Sequence, residues 1–340
     1  MKRRAIVAIA IALVLLGVFV TLVGWNEVLG AIERTTPSVY AGAFLATLTC
    51  FGFRSAVWAR VLSVVDEPRP YWLVLGVFLT ASFVKYVTPY GQVASGVGTA
   101  AIVSRYTDAA YEESLAAVVS ADVLNYLPYY TFGAVGLVAV LVLESPRFDP
   151  GAYVLPALAL VVVVVAALAF LWLGRSAVRA GVLRVSSRLR APVARVSERK
   201  ARLLRREHVE RRFEGFYATL ELVSRNRRPM SVALVYAHVG WLGLAAALYV
   251  TALSLDAPVS VGAALLVVAL SKLGFLVPTP GGIGGVEATL AATLFLVTPM
   301  GVAVATATAI LYRFATYWFT VFVGGSTSMA LTITDPTPPE

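Results

Sequence analysis

Residues 271–297 read SKLGFLVPTPGGIGGVEATLAATLFLV, and this stretch decides how the chain folds. Its flanks are apolar, but one continuous helix cannot pass through its centre, because Pro278 and Pro280 lack the backbone N–H that a helical hydrogen bond requires. The glycines that follow permit a turn with positive φ; they are Gly281, Gly282, Gly284 and Gly285. The stretch therefore predicts two half-helices that meet at a Pro/Gly turn at membrane depth.

A turn at that depth leaves backbone amides and carbonyls without partners, and lipid cannot satisfy them. The turn must therefore lie inside the protein or line a wet cavity, and broken helices of this kind are where transporters hold their substrates. The alternative is a glycine-packed kink with a structural role alone. Both interpretations stay open at this point.

The composition is that of a membrane protein. Of the 340 residues, 59% are hydrophobic and 14% are charged, against about 25% charged residues in a soluble domain. The mean hydropathy is +0.80, which predicts an all-α polytopic membrane protein. One cysteine and two histidines leave no disulfide and no Cys/His zinc cluster. Because no nucleophile elbow, zinc-protease motif or Walker loop is found either, we expect no catalytic residues, no metal, no cofactor and no enzyme activity.

The apolar runs predict six full membrane spans. A basic start at Lys2, Arg3 and Arg4 precedes the first run and indicates a cytoplasmic N-terminus. The runs are residues 5–26, 37–57, 115–143, 151–174, 229–255 and 298–331. We interpret Arg54 and Trp58, at the end of the second run, as an anchor at the membrane interface together with Arg60.

A second broken segment lies in the first half of the chain. Residues 70–104 contain an apolar run, Lys85, a break at Pro89 and Gly91, and a second run of small residues, in the same layout as residues 258–297. We therefore predict two re-entrant helical hairpins that enter from opposite sides, in an inverted repeat of the kind found in transporters.

This layout predicts one integral membrane domain over residues 1–334. Its halves are about residues 1–143 and 151–331, and a polar tail follows at 335–340. Both termini are expected in the cytoplasm of a protein that crosses the cell membrane several times.

Residues 175–228 form a basic insertion. They hold 16 Lys or Arg and five Glu, so their net charge is 16 − 5 = +11, against +9 for the whole chain. The positive-inside rule predicts a cytoplasmic loop, and its spaced apolar residues predict amphipathic helices on the anionic head groups of the inner leaflet. We do not expect a nucleic-acid partner there; a soluble enzyme docked on this loop is the alternative.

Five ionisable residues lie in or beside the apolar segments: Lys85, Asp122, Lys272, Glu287 and Arg313. Each charge at the bilayer centre costs about 2.5 kcal/mol or more, so such residues are usually buried, paired and functional. One interpretation is structural, with Glu287 paired to Lys272 or Arg313. The other is a substrate-binding cavity in which these charges and the glycine amides bind a phosphate. The expected hinge residues are Pro89, Gly91, Pro278, Pro280, Gly281, Gly282, Gly284 and Gly285.

Three segments resemble the membrane domain of lysylphosphatidylglycerol synthases and its stand-alone flippase-like relatives. The clearest is PTPGGIGGVE at residues 278–287, which resembles that family's Pro-x-Pro-Gly-Gly-x-Gly-x-x-Glu signature. The second is RFATYW at residues 313–318 with Gly324, and the weakest is WARVL at residues 58–62. The first break departs from the family, because no charged residue follows Gly91 closely.

The resemblance implies a lipid translocase that moves an anionic phospholipid or a polyprenyl-phosphate-linked lipid between leaflets. It does not imply lysyl transfer, which in that family belongs to a separate soluble domain. The alternatives are a membrane scaffold that docks a soluble lipid-modifying enzyme and a small-ion secondary transporter.

Overall fold

The computed structural model describes residues 17, 21, 23–88, 91–143, 169, 173–195, 198, 205–277 and 279–334. Most of the predicted first span, the predicted span at 151–174, Pro89, Pro278 and the tail at 335–340 lie outside these residues. The described residues contain helices and connecting turns and no strands, which confirms the all-α class for this part of the chain.

The helices are numbered in chain order. They are α1 (Trp25–Glu33), α2 (Pro37–Val65), α3 (Tyr71–Val87), α4 (Gly91–Tyr106), α5 (Tyr111–Leu143), α6 (Arg175–Ala194), α7 (Arg206–Arg225), α8 (Arg227–Leu253), α9 (Val261–Leu270), α10 (Gly285–Val297), α11 (Val302–Arg313) and α12 (Phe319–Thr334). Two 3₁₀ turns, Ser271–Leu276 and Pro280–Gly282, lie between α9 and α10, and a π-helical turn, Phe314–Trp318, joins α11 to α12.

Four described segments are long and apolar enough to cross a membrane: Pro37–Val65, Tyr111–Leu143, Arg227–Leu253 and Pro280–Val297. The first three contain most of the predicted runs 37–57, 115–143 and 229–255. The fourth includes the non-helical backbone of Gly281, so its regular helix is α10 alone.

Helices α2 and α8 form the centre of the bundle and pack against each other along their length. Small residues allow this close approach: a Cβ on Gly243 would lie 2.8 Å from the Ala46 carbonyl oxygen, and one on Gly240 would lie 2.7 Å from Arg54 Cγ. Because higher residue numbers in α2 meet lower numbers in α8, the two helices are antiparallel.

The remaining contacts are reciprocal between the two halves of the chain. Helix α9 packs on α5, and α3 packs on α12. Each pair meets at a glycine, since a Cβ on Gly136 of α5 would lie 2.6 Å from Leu266 N, and one on Gly324 of α12 would lie 2.5 Å from the Leu79 carbonyl oxygen. Helices α4 and α10 pack on α5 and α11, each within its own half of the chain.

We expect Gly136→Ala and Gly324→Ala each to lower the free energy of unfolding. The added methyl group in each variant meets backbone atoms that cannot move aside, and overpacking of this kind costs about 1–3 kcal/mol. Denaturant unfolding in detergent measures the change. Gly98→Ala on α4 is the control, because a Cβ there meets no atom within 4 Å; equal stability of all three variants would contradict the close packing of these helix pairs.

Candidate functional site

The segment that interrupts the second half folds into a compact turn. Helix α9 tightens into the Ser271–Leu276 turn, the chain bends at Pro280–Gly282, and α10 begins at Gly285. Gly281, Gly282 and Gly284 have φ values of 60°, 68° and 85°, so the predicted turn with positive φ is confirmed. A side chain at Gly281 would also overlap the ring of Tyr317.

Glu287 and Arg313 form a buried ion pair behind this turn. Arg313 Nε donates to Glu287 Oε1 at 2.8 Å, and Arg313 Nη2 donates to the Gly281 carbonyl oxygen at 2.8 Å. The Gly284 N–H donates to Glu287 Oε2 at 2.7 Å, which caps α10. The side chains of Arg313 and Glu287 are only 6% and 3% exposed. The structural pairing predicted for Glu287 is therefore confirmed, with Arg313 as its partner.

A second charged pair joins α3 to α5. Lys85 Nζ lies 3.7 Å from Asp122 Oδ2 and 5.2 Å from the centre of the Tyr126 ring. The two charged side chains are 16% and 30% exposed, so this pair is looser and wetter than the Arg313–Glu287 pair. Gly91 begins α4 directly against the Lys85 carbonyl group, where a Cβ would overlap it.

Two pockets lie among α2, α3, α5, α11 and the Ser271–Leu276 turn, and we call them the two lobes of one cavity because they share lining residues. The first lobe, about 40 Å³, has Arg313 in its wall, and the second, about 30 Å³, has Lys85 and Asp122. Glu287 lies behind Arg313 and does not line either lobe. The described residues that line both lobes are Arg54, Phe78, Ser82, Tyr86 and Lys272.

Arg54 is the site residue that the sequence interpretation missed. The prediction that Arg54 and Trp58 anchor the protein at the membrane interface is wrong, because Arg54 lines both lobes and Trp58 is only 3% exposed, packed on Phe78. Only Arg60 of that group is exposed. The sequence signal that could have identified Arg54 was the four-residue spacing of Cys50, Arg54 and Trp58, which puts all three on one helix face.

Two of the glycine amides of the turn are already hydrogen-bonded within it. The Gly284 N–H is bonded to Glu287, and the Gly282 N–H donates to the Thr279 carbonyl oxygen at 3.1 Å. The prediction that these two amides are free to bind a phosphate is wrong, because the tight turn uses them for its own hydrogen bonds. The groups that line the cavity and suit that role are side-chain cations.

Two of those cations lack a carboxylate. Among the described residues, neither Arg54 nor Lys272 has an Asp or Glu oxygen within 4.0 Å. Arg54 instead lies 5.9 Å from the ring centres of Phe78 and Tyr126, and Lys272 Nζ lies 5.3 Å from the Trp241 ring. The cavity therefore carries a net positive charge. Within the described part of the chain, no group of three or more His, Cys, Asp or Glu residues could hold a metal ion.

Residues 5–324 match the family model described as the lysylphosphatidylglycerol synthase TM region. No curated protein matches the chain. The family match covers nearly the whole chain, including the turn, the Arg313–Glu287 pair and both lobes of the cavity. The chain therefore belongs to the lysylphosphatidylglycerol synthase transmembrane-region family.

Proposed function

We propose that this protein moves an anionic lipid, either a phospholipid or a polyprenyl-phosphate-linked lipid, between the two leaflets of the cell membrane. The observation that carries the proposal is the cavity lined by Arg54 and Lys272, neither of which has a carboxylate partner among the described residues. Uncompensated charge within an apolar bundle is costly. An anion that enters the cavity would offset that cost, and a lipid phosphate carries such a charge.

The helix arrangement supports a pair of re-entrant hairpins. Helices α4 and α10 have 16 and 13 residues, so they extend about 24 and 20 Å, less than the roughly 30 Å of a hydrocarbon core. The hairpins follow the C-terminal ends of α2 and α8, which are antiparallel, so they start at opposite ends of the bundle.

The reciprocal contacts support an inverted repeat. The first arm of each hairpin packs on the final helical segment of the other half, as a two-fold axis in the membrane plane requires. We propose six full spans, of which two fall largely outside the described residues, with both termini in the cytoplasm. The 280–282 turn contacts both α3 and α4, so the two hairpins meet beside the cavity.

The two charged pairs suggest which hairpin moves. Arg313 and Glu287 fix the second turn with direct, buried hydrogen bonds. Lys85 and Asp122 hold the first hairpin at 3.7 Å, with both side chains partly exposed. Longer, wetter ion pairs are weaker, so we expect the first hairpin to move more easily when the cavity opens.

Leaflet exchange in vesicles tests the proposed function. Purified protein is reconstituted into liposomes that carry fluorescent phosphatidylglycerol, phosphatidylcholine or a polyprenyl phosphate, and a quencher that cannot cross the bilayer is added. We expect faster loss of inner-leaflet fluorescence for an anionic lipid than in protein-free vesicles. If every anionic lipid exchanged between leaflets only as fast as in protein-free vesicles, the proposal would be overturned. Ion flux under the same conditions would favour the small-ion transporter.

The basic insertion supports a contact with the inner leaflet. Helix α7 packs on α5 through buried Thr219 and Val223, and Arg179 of α6 lies 3.2 Å from Glu210 of α7. A hydrogen bond from Arg206 holds the pKa of Glu210 below its usual range. Helix α6 also exposes an apolar row of Val182, Val185 and Leu189, with exposed arginines nearby on the same helix. We propose that this row lies on anionic head groups.

We expect the triple variant Arg184→Gln, Arg188→Gln and Arg190→Gln to lose contact with anionic lipid while keeping leaflet exchange. Each of these exposed arginines near an anionic surface contributes about 1 kcal/mol of attraction. Hydrogen exchange of α6 in nanodiscs with and without phosphatidylglycerol measures the contact. Loss of leaflet exchange with unchanged α6 protection would contradict this assignment.

A further inference from the structure

Arg54 and Lys272 meet where the two lobes of the cavity join. Both residues line both lobes, whereas Arg313 lines only the first and Lys85 only the second. Arg54 Nε is buried and has no hydrogen-bond partner among the described residues. A buried donor without a partner is unfavourable, so this junction has unused capacity to bind an acceptor.

The same small network positions both cations. Asn125 Nδ2 donates to the Arg54 carbonyl oxygen at 3.3 Å, and Trp241 Nε1 donates to the Asn125 carbonyl oxygen at 2.6 Å. Lys272 Nζ lies 5.3 Å from the centre of the Trp241 ring. Helices α2, α5 and α8 therefore fix the place of Arg54 and Lys272 together, before any ligand enters.

The presence or absence of a carboxylate partner distinguishes Arg54 and Lys272 from Arg313 and Lys85. Arg313 is bonded to Glu287 and Lys85 is paired with Asp122, so their charges are largely compensated. Among the described residues, Arg54 and Lys272 have no carboxylate oxygen within 4.0 Å. Aromatic rings lie beside both, Cys50 lies beside Arg54, and like charges in a low-dielectric site repel. A single anion between them would remove this repulsion and would also occupy the free Arg54 donor.

We propose that Arg54 and Lys272 together bind one phosphate group, and that this group belongs to the head of the transported lipid. The guanidinium of Arg54 suits two oxygens of a phosphate, and the ammonium of Lys272 supplies a point charge. The lipid as ligand rests on the proposed function, whereas the anion site rests on the cavity alone.

Binding of short-chain lipids tests this site. The full chain in neutral detergent is titrated calorimetrically with dioctanoyl phosphatidylglycerol, dioctanoyl phosphatidylcholine and inorganic phosphate. We expect phosphatidylglycerol to bind most tightly, and Arg54→Gln and Lys272→Gln each to weaken its binding by about tenfold or more. Arg60→Gln is the matched control on the same helix, since Arg60 is exposed and does not line either lobe; its affinity should be unchanged.

Thermal unfolding separates a binding role from a structural one. Without lipid, Arg54→Gln should unfold at or above the wild-type temperature, because it removes an uncompensated buried charge, and the rise caused by phosphatidylglycerol should disappear. Arg54→Lys keeps the charge and should keep part of that rise. A lower unfolding temperature for Arg54→Gln, with lipid stabilisation intact, would show a structural residue and overturn the site.

The outcomes distinguish the site from the function. Wild-type affinity in Arg54→Gln and Lys272→Gln overturns the site even if leaflet exchange occurs. Loss of affinity in both variants supports the site even if the wild type gives no exchange, in which case the proposed function fails. Equal affinity for inorganic phosphate and the lipid would overturn the lipid as the preferred ligand.

Discussion

Replacing Arg313 with Met should destabilise the protein by about 3–5 kcal/mol, because it leaves the carboxylate of Glu287 buried without its partner. The same change removes the hydrogen bond to the Gly281 carbonyl oxygen, so the turn between the half-helices loses its anchor. Denaturant unfolding in detergent measures the stability. We also expect leaflet exchange to fall, since the Ser271–Leu276 turn that carries Lys272 packs against α10.

Two variants make this result interpretable. Arg313→Met combined with Glu287→Gln should recover part of the loss, because the charge is gone while the Gln oxygen still accepts from the Gly284 N–H. Arg212→Met is the matched control: Arg212 lies 4.0 Å from Glu112 and is 47% exposed. Exposed pairs contribute about 0–1 kcal/mol. Similar losses for Arg313→Met and Arg212→Met would contradict a structural role for the buried pair.

Gly281→Ala should be strongly destabilising, because the added methyl group has no space and the backbone has positive φ. Its Cβ would overlap the Tyr317 ring, which is only 3% exposed. Overpacking costs about 1–3 kcal/mol, and a residue other than glycine with φ near 60° costs about 1–2 kcal/mol more. Together these effects predict a loss of about 2–5 kcal/mol in the free energy of unfolding.

Gly30→Ala in α1 is the control for this change. A Cβ on Gly30 meets no atom within 4 Å and the residue is helical, so alanine should be neutral or stabilise by up to about 1 kcal/mol. Gly281→Ala should therefore lower the free energy of unfolding, whereas Gly30→Ala should leave it unchanged or raise it. A stability for Gly281→Ala equal to that of wild type would mean that Tyr317 and the turn are not packed as described.

Local chemistry made the second broken segment predictable from the sequence. Proline and glycine act on the backbone at their own positions, so the turn at Pro280 and the start of a helix at Gly285 follow from the letters alone. Glu287 was also predictable as a buried partner, since a carboxylate three residues after a helix N-cap bonds the cap N–H. Its choice of Arg313 over Lys272 needed the structure, because separation along the chain does not tell which of the two cations packs against Glu287.

Arg54 could not be assigned in the same way. A helix face is recognised by its spacing, but whether that face meets lipid, water or protein depends on which neighbours pack on it. Here α2 continues to Val65 and packs along α8, so Arg54 lies well inside the helix rather than at its end. The reciprocal packing of α3 on α12 and of α9 on α5 is likewise a property of the assembled halves, which no local pattern contains.

The rate of leaflet exchange in vesicles tests most directly whether a lipid phosphate passes through the junction of Arg54 and Lys272. Wild type, the double variant Arg54→Gln/Lys272→Gln and the control Arg60→Gln are reconstituted at equal density with fluorescent phosphatidylglycerol. We predict that wild type and Arg60→Gln accelerate exchange equally, while the double variant falls to the rate of protein-free vesicles and remains folded. Exchange at the wild-type rate in the folded double variant would contradict the central claim.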